Sequence, residues 1–157
     1  MASGREHVSA QHLARRADLT RDRQNLPKLE SVLVVDDVSA DADRIRATLS
    51  IIFGHDIKVR HARTLNSALD CVLDELPGVI LLDDYLKPSD TALTSIPMIR
   101  RAGYDGAIVV VSGQLDRHRH RDLLAAGAKE AIHKDDLNSV RILETLNKVV
   151  AKLAVQD

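Results

Sequence analysis

From Ser31 onward, short apolar runs alternate with longer amphipathic stretches, and this alternation constrains the fold more than any other feature of the chain. Five of the short runs are predicted as strands, at 31–35, 56–60, 78–82, 107–111 and 130–133. Three of them consist almost entirely of Val, Ile and Leu, which is typical of parallel strands covered by helices on both faces. Repeated βα units of this kind predict an α/β domain, a (βα)5 doubly wound five-stranded parallel sheet.

The amphipathic stretches between these runs are predicted as helices, at 39–53, 64–76, 91–102, 117–126 and 138–153. Ser39 and Thr64 are candidate N-caps, because their hydroxyls can accept a hydrogen bond from the first helical turn. Pro97 lies inside the third stretch, so that helix either begins near Ser95 or is kinked. The second predicted strand alternates apolar and charged residues, which favours a place at the edge of the sheet.

The chain is predicted to consist of a basic N-terminal extension at 1–29 and one folded domain at 30–154. Its 157 residues are enough for one ordinary domain and a tail. Arg and Lys outnumber Asp and Glu in the extension, and apolar residues are sparse there. The extension is interpreted either as a solvated tail or as a segment that docks on its own domain or on a second chain.

Composition excludes several classes of function. A net charge of -1 gives no field that would gather nucleic acid or anionic lipid, and aromatic residues at 2% leave few platforms for stacking bases. The apolar runs fall well short of the ~20 residues that cross a bilayer. A single cysteine, Cys71, forbids an intramolecular disulfide framework. We therefore expect a cytoplasmic protein that binds neither nucleic acid nor membrane directly.

Polar residues follow four of the predicted strands, where an open parallel sheet collects its functional groups. Asp36 and Asp37 follow the first strand, Asp83 the third, Ser112 the fourth and Lys134 the fifth. Clustered carboxylates repel one another unless a cation neutralises them, and oxygen ligands of this kind suit Mg²⁺. A carboxylate can then attack phosphorus, while a hydroxyl and an ammonium group stabilise the phosphoryl oxygens.

Together these motifs resemble the receiver domain of two-component response regulators over residues 31–153. VLVVDD is similar to the first strand of that family with its acidic pair, GVILLD to the third strand, VVVSG to the switch hydroxyl, and AGAKEAIHK to the last strand with its lysine. Ser112 follows Asp83 by 29 residues, and Lys134 follows Ser112 by 22. The resemblance implies a receiver (flavodoxin-like) architecture of the single-domain, stand-alone type.

The resemblance also implies a role for each residue. Asp83 would accept a phosphoryl group from a histidine kinase or a histidine phosphotransfer protein, Ser112 would hydrogen-bond that group, and Lys134 would pair with it. The implied Mg²⁺ ligands are Asp36, Asp37, Asp83 and the backbone carbonyl of Tyr85. Such a bacterial phosphorelay protein catalyses only its own phosphorylation and dephosphorylation, and either signals through protein contacts or drains phosphate from a kinase. The sequence leaves the oligomeric state open, including a homodimer.

The phosphoacceptor has an alternative, because Asp83 and Asp84 are adjacent and side chains alternate along a strand. The length of the apolar run GVILL favours Asp83. The usual spacing to a proline in the family favours Asp84, which lies four residues before Pro88. We prefer Asp83, with Lys87 then standing where the proline is usual.

Three other positions depart from the family pattern. Ala131 stands where the aromatic switch residue is usual, so the rotation of a buried ring cannot transmit a signal there. Lys134 is followed by Asp135 rather than proline, so its peptide bond need not be cis. The loop after Asp90 lacks the usual glycine, which leaves the start of the third helix open.

Two other functions are weighed. A Mg²⁺-dependent phosphatase with an aspartyl nucleophile would need a second acid where Val38 stands, which argues against it. A phosphorylation-independent adaptor with the same fold is favoured by Ala131 but opposed by the intact acidic and lysine positions.

Three further features receive structural interpretations. The run RHRHR at 117–121 is interpreted as a solvated basic helix face or a partner-binding surface, because residues two apart on a helix point away from each other. His133 is interpreted as an edge or surface histidine. Cys71, among apolar neighbours, is interpreted as a buried inert thiol.

Overall fold

A computed structural model describes residues 29–156 of the chain, with side chains up to residue 150. The elements in chain order are β1 (Ser31–Val35), α1 (Ser39–Phe53), β2 (Lys58–Ala62), α2 (Leu65–Asp74), β3 (Val79–Asp83), β4 (Tyr85–Leu86), β5 (Asp90–Thr91), α3 (Ala92–Arg101), β6 (Ala107–Ser112), α4 (Arg117–Ala126), β7 (Glu130–His133), a 3-10 turn (Lys134–Asp136) and α5 (Ser139–Gln156). The predicted extension lies almost wholly outside the described residues, so its interpretation stays a prediction.

The main sheet has five parallel strands in the order β2-β1-β3-β6-β7, and β4 and β5 form a separate antiparallel pair. The predicted (βα)5 doubly wound sheet is confirmed, and β2 lies at its edge as expected. The strand order reverses between β1 and β3, which are neighbours in the sheet. The carboxyl ends of these two strands therefore open into the crevice where α/β folds of this kind bind their ligands.

The core has two layers, one on each face of the sheet, because successive side chains of a strand point to opposite faces. Val32 and Val34 of β1 pack with the buried faces of α1 and α5. Leu33 and Val35 pack on the other face with α2, α3 and α4. All four β1 side chains are at most 1% exposed, so the strand that carries the first acidic residues is fixed from both sides.

Several predicted boundaries differ from the observed ones by one to three residues, among them the third strand, predicted at 78–82 and observed at Val79–Asp83. β2 begins at Lys58 rather than at residue 56, because its ladder with β1 extends to buried Ala62, whose carbonyl accepts a hydrogen bond from the backbone of Asp36. α3 begins at Ala92, within the predicted range 91–102, and Thr91 and Thr94 form a capping box at its start. The alternative start near Ser95 is therefore wrong, and Pro97 lies inside the helix.

The two candidate N-caps differ in outcome. Thr64 caps α2 as predicted, accepting a hydrogen bond from the backbone of Ser67 at 3.0 Å. Ser39 is not a cap but the first residue of α1, and Val38 takes the N-cap position, with its backbone N–H donated to the Asp36 carboxylate at 2.8 Å.

Two further features of the fold concern its peptide bonds and the apolar character of its helices. Within the described range the cis peptide bond is Lys87–Pro88, so the bond after Lys134 is trans. Among the helices that the structure describes, none combines the length and the apolar character needed to cross a membrane.

Candidate functional site

An open cleft of about 840 Å³ lies at the carboxyl edge of the sheet. Its lining comes from the ends of β1, β3, β6 and β7 and from the first turns of α4. The residues that line it include Asp37, Asp83, Asp84, Ser112, Arg119 and Lys134. Residues far apart in the sequence are thus gathered at one edge, because parallel strands end on the same side of a sheet.

Three carboxylates form what we call the acid cluster: Asp36, Asp37 and Asp83. One oxygen from each of the three lies within 4.8 Å of the others. Asp36 and Asp83 are only 2% and 5% exposed, whereas Asp37 is half-buried. Close, buried oxygen atoms of this kind are a suitable donor set for a hard divalent cation such as Mg²⁺.

Electrostatics in the acid cluster oppose full ionisation. Burial and the neighbouring Asp36 carboxylate raise the pKa of Asp83 to about 6, although Lys134 offsets part of this effect. Burial likewise raises the pKa of Asp36 above its usual range. Because desolvation and like charges both disfavour the anions, a bound cation or a proton stabilises the cluster.

Lys134, the first residue of the 3-10 turn after β7, contacts the acid cluster. Its Nζ lies 3.4 Å from Asp83 Oδ2 and 3.4 Å from Asp41 Oδ2. Burial alone would lower the pKa of Lys134, but Asp83, Asp36 and Asp41 together raise it, so the ammonium group stays charged. Asp41 was missed by the sequence reasoning, and its place in the first turn of α1, four residues after Asp37, is the signal that could have found it.

A second group at the same edge, which we call the Asp84 network, consists of Asp84, Ser112 and Arg119. Asp84 Oδ2 accepts hydrogen bonds from Ser112 Oγ and Arg119 Nε, both at 3.0 Å. Asp84 Oδ1 accepts a third from Arg119 Nη2 at 2.6 Å. Burial alone would raise the pKa of Asp84, but the hydrogen bonds from Arg119 and Ser112 outweigh it and lower that pKa.

The structure separates the two adjacent candidates for the phosphoacceptor. Asp83 lies in the acid cluster beside Lys134, while Asp84 turns to Ser112 and Arg119, as the alternation of strand side chains requires. The Ser112 hydroxyl therefore lies at the expected strand end but donates to Asp84. The Tyr85 backbone N–H donates to Asp83 Oδ1 at 3.4 Å, and the metal-binding role of the Tyr85 carbonyl stays a prediction.

The basic run at 117–121 is only partly the solvated face that was predicted. Arg119 and His120 face inward, towards Asp84 and towards Glu130 Oε1, which lies 2.9 Å from His120 Nε2. Buried Leu123 is the signal that could have found them, because residues three and four apart share a helix face. The members that stay exposed are Arg117, His118 and Arg121.

Three other residues considered in the sequence lie outside both the acid cluster and the Asp84 network. Ala131 is 2% exposed and packs into the core layer under α2, α3 and α4. His133 is half-buried on the edge strand β7 and accepts a hydrogen bond from the backbone of Asp135, which fits its interpretation as an edge histidine. Cys71 is only partly buried, so its interpretation as a buried thiol is wrong in that respect; it packs against the same core layer as Ala131 because it lies on α2.

The chain has the fold of a response regulator receiver domain, with five parallel strands in one sheet and five helices around it. Solved structures of receiver domains match its fold, which confirms the predicted resemblance at that level. No protein-family model matches the chain, and no curated protein matches it in sequence.

Three solved structures illustrate the likeness. The chain is similar to a receiver domain protein (CheY-like) from Methanospirillum hungatei JF-1, with a TM-score of 0.71 and 21% identity over 83% of this chain and 100% of that chain. It is similar to a response regulator from Burkholderia pseudomallei with a phosphorylated aspartic acid, calcium ion and citrate, with a TM-score of 0.66 and 23% identity over 81% and 72%. It is also similar to the beryllofluoride-activated NtrC4 receiver domain dimer, with a TM-score of 0.68 and 23% identity over 78% and 97%.

Proposed function

We propose that this chain is a response regulator that accepts a phosphoryl group on Asp83, from a histidine kinase or a histidine phosphotransfer protein, in a Mg²⁺-dependent reaction. The observation that carries the proposal is the convergence of Asp36, Asp37 and Lys134 on Asp83, a carboxylate buried at the floor of the cleft. Receiver domains of similar fold support the same role, among them one with a phosphorylated aspartic acid.

In the proposed reaction, an oxygen of the Asp83 carboxylate attacks the phosphorus of a phosphohistidine. The new O–P bond forms as the P–N bond breaks, and the imidazole leaves with the electron pair of that bond. The nucleophile must be deprotonated, so the elevated pKa of Asp83, about 6, opposes the reaction until positive charge is supplied. Lys134, 3.4 Å from Asp83, supplies part of that charge and pairs with the transferred group.

The acid cluster and the Tyr85 carbonyl would hold the metal ion. A bound Mg²⁺ would favour the ionised form of Asp83 and neutralise charge on the phosphoryl oxygens. The protein catalyses only its own phosphorylation and dephosphorylation. Its output is contact with other proteins in the cytoplasm, or the draining of phosphate from a kinase.

Intact-mass measurement after incubation with acetyl phosphate and Mg²⁺ tests the chemistry. We expect one added phosphoryl group, which is absent in Asp83→Asn and in the presence of excess EDTA. Asp84→Asn is the matched control, because the same substitution one residue further along the chain leaves the acid cluster intact, and it retains the label. Loss of the label in Asp84→Asn alone would show that the nucleophile is wrongly assigned.

Phosphoramidate extends the test to the donor, because it carries the P–N bond that a phosphohistidine carries. We expect the same single modification on Asp83. If neither donor labels the folded wild-type protein in Mg²⁺, the phosphoacceptor role is refuted and the phosphorylation-independent adaptor is the better reading of the fold.

A further inference from the structure

The Ser112 hydroxyl is already engaged in this structure. Its one proton is donated to Asp84 Oδ2 at 3.0 Å, and its oxygen accepts the backbone N–H of Gln114 at 3.2 Å. Ser112 is 2% exposed, and these two protein groups are the hydrogen-bond partners of its hydroxyl in the described residues. A hydroxyl has a single proton to donate, so a bond to Asp84 and a bond to a group on Asp83 exclude each other.

Asp84 is a firmly held acceptor. Arg119 donates a hydrogen bond to each of its carboxylate oxygens, in the bidentate geometry that makes guanidinium–carboxylate pairs strong. The backbone of Asp84 is fixed as well, since its N–H donates to Val111 and its carbonyl accepts from Ala92. The Asp84 and Arg119 side chains are only 12% and 25% exposed, so solvent screens their attraction weakly.

We propose that the Asp84–Arg119 ion pair is a built-in competitor for the Ser112 hydroxyl, and that a phosphoryl group on Asp83 must take the hydroxyl away from it. The inference rests on the proposed function of Asp83. In this arrangement Asp84 is a positioning residue that acts through Ser112 and sets how tightly the phosphorylated state is held. Asp84 also joins Ser112 to Arg119, in the first turn of α4, so the exchange alters a contact of that helix without an aromatic ring at Ala131.

The test is titration of the protein with beryllofluoride, a phosphoryl mimic, in the presence of Mg²⁺. We expect the charge-neutral double variant Asp84→Ala/Arg119→Ala to bind beryllofluoride about fivefold more tightly than wild type, because the freed hydroxyl no longer has to leave a hydrogen bond. The matched control is Arg101→Ala/Asp105→Ala, which removes an exposed cation and an exposed anion at the opposite edge of the sheet. We expect the affinity of this control to equal that of wild type.

A second background separates competition for the hydroxyl from general electrostatics. In Ser112→Ala there is no hydroxyl to release, so adding Asp84→Ala/Arg119→Ala leaves the affinity unchanged. If the double change tightens binding equally with and without Ser112, the competitor role is wrong and charge alone explains the effect. Unchanged affinity in the presence of Ser112 overturns the inference as well.

The proposed function has its own test: it is wrong if beryllofluoride binds wild type no more tightly than it binds Asp83→Asn.

If the double variant does not fold, NMR on the wild-type protein tests the inference instead. Beryllofluoride is expected to shift the Nε–H signal of Arg119, whose acceptor loses the Ser112 bond, and to leave that of Arg100 in place. Arg100 is held by backbone carbonyls at the far edge and serves as the internal control. A stationary Arg119 signal at saturation overturns the inference.

Discussion

Asp83 and Asp84 are neighbours in the chain, yet the fold gives their carboxylates opposite surroundings. Asp83 shares a buried corner with two further acids, and burial and Asp36 raise its pKa to about 6. Asp84 is buried to a similar degree, but hydrogen bonds from Arg119 and Ser112 overcome the effect of burial and lower its pKa. The two residues thus differ in their partners rather than in their depth.

The contrast teaches what makes a buried carboxylate reactive. A carboxylate whose oxygens are all bound by protein donors is stable as an anion and has no lone pair directed at a ligand. A carboxylate held beside other acids is destabilised, and it gains from binding a cation or from forming a bond. Asp83 is of the second kind and Asp84 of the first, so the two halves of the cleft respond differently to metal, pH and substitution.

The largest effect is expected from removal of the other two acids of the cluster. Asp36→Ala/Asp37→Ala should weaken Mg²⁺ binding on the order of a hundredfold, because a hard cation loses two charged oxygen ligands at once. NMR titration with Mg²⁺ measures it. Asp70→Ala/Asp74→Ala, which removes two exposed acids from α2, is the matched control and should keep the wild-type affinity. Equal affinity in all three proteins would remove the metal site from the acid cluster.

The second prediction concerns Asp83 itself in the absence of metal. The native pKa of Asp83, about 6, lies above its ordinary value of 3.8, so the native state binds more protons than the unfolded chain in that interval. The contribution of Asp83 to stability therefore falls as pH rises through the interval, and at neutral pH the ionised group is destabilising. Asp83→Asn should raise the free energy of unfolding by about 2 kcal/mol above pH 7 and by much less near pH 4.

Urea unfolding in EDTA at the two pH values measures this prediction. Mg²⁺ should narrow the difference, because it stabilises wild type and not the variant. A gain in Asp83→Asn that is the same at both pH values would mean that it does not come from titration of this carboxyl.

The sequence predicted the fold and the acid cluster better than it predicted the Asp84 network, and the reason is physical. Parallel strands end at one edge, so Asp36, Asp83 and Lys134 could be placed together from their strand-end positions alone. The partner of Asp84 depends on which face of α4 turns inward, and the run at 117–121 is polar at every position. Ser112 was placed at the right strand end, but nothing local to it shows that Arg119 would hold its acceptor.

The third prediction tests the Asp84 network, the half of the cleft in which protein donors hold the carboxylate. Asp84→Ala and Arg119→Ala should each destabilise the protein, and a double-mutant cycle should give a coupling energy of about 1 kcal/mol, because the pair is bidentate and mostly buried. Urea unfolding of the four proteins measures the coupling. Arg119→Lys should recover little of it, since an ammonium group cannot contact both oxygens in the same way. Strictly additive effects would mean that the pair contributes no specific attraction.

A third carboxylate extends the comparison beyond the cleft. Glu130, on the edge strand β7, accepts hydrogen bonds from Lys148 Nζ at 2.9 Å and from its neighbour Ala131 at 3.0 Å, with His120 Nε2 also 2.9 Å away. Burial alone would raise the pKa of Glu130, but Lys148 and His120 outweigh it and lower the pKa to about 2. Glu130 therefore belongs with Asp84 and should respond to pH in the opposite direction to Asp83.

The smallest effect is expected at this residue, because the side chains of Lys148 and His120 are 57% and 38% exposed and solvent screens their attraction. Glu130→Gln should lower the free energy of unfolding by about 0.5 to 1 kcal/mol at neutral pH.

This effect should depend on pH. The native pKa of Glu130 lies below the ordinary value of 4.5, so the stability from Glu130 is present above that value and declines as pH falls towards 2. In urea unfolding, the loss of unfolding free energy in Glu130→Gln should therefore shrink between pH 7 and pH 3. Over the same range Asp83→Asn shows the opposite sign, because its gain in unfolding free energy shrinks. Glu144→Gln, an exposed acid on α5, is the matched control and should change stability little at either pH. A Glu130→Gln deficit that persists undiminished at pH 3 would show that packing rather than charge distinguishes Glu130, and would separate it from Asp84.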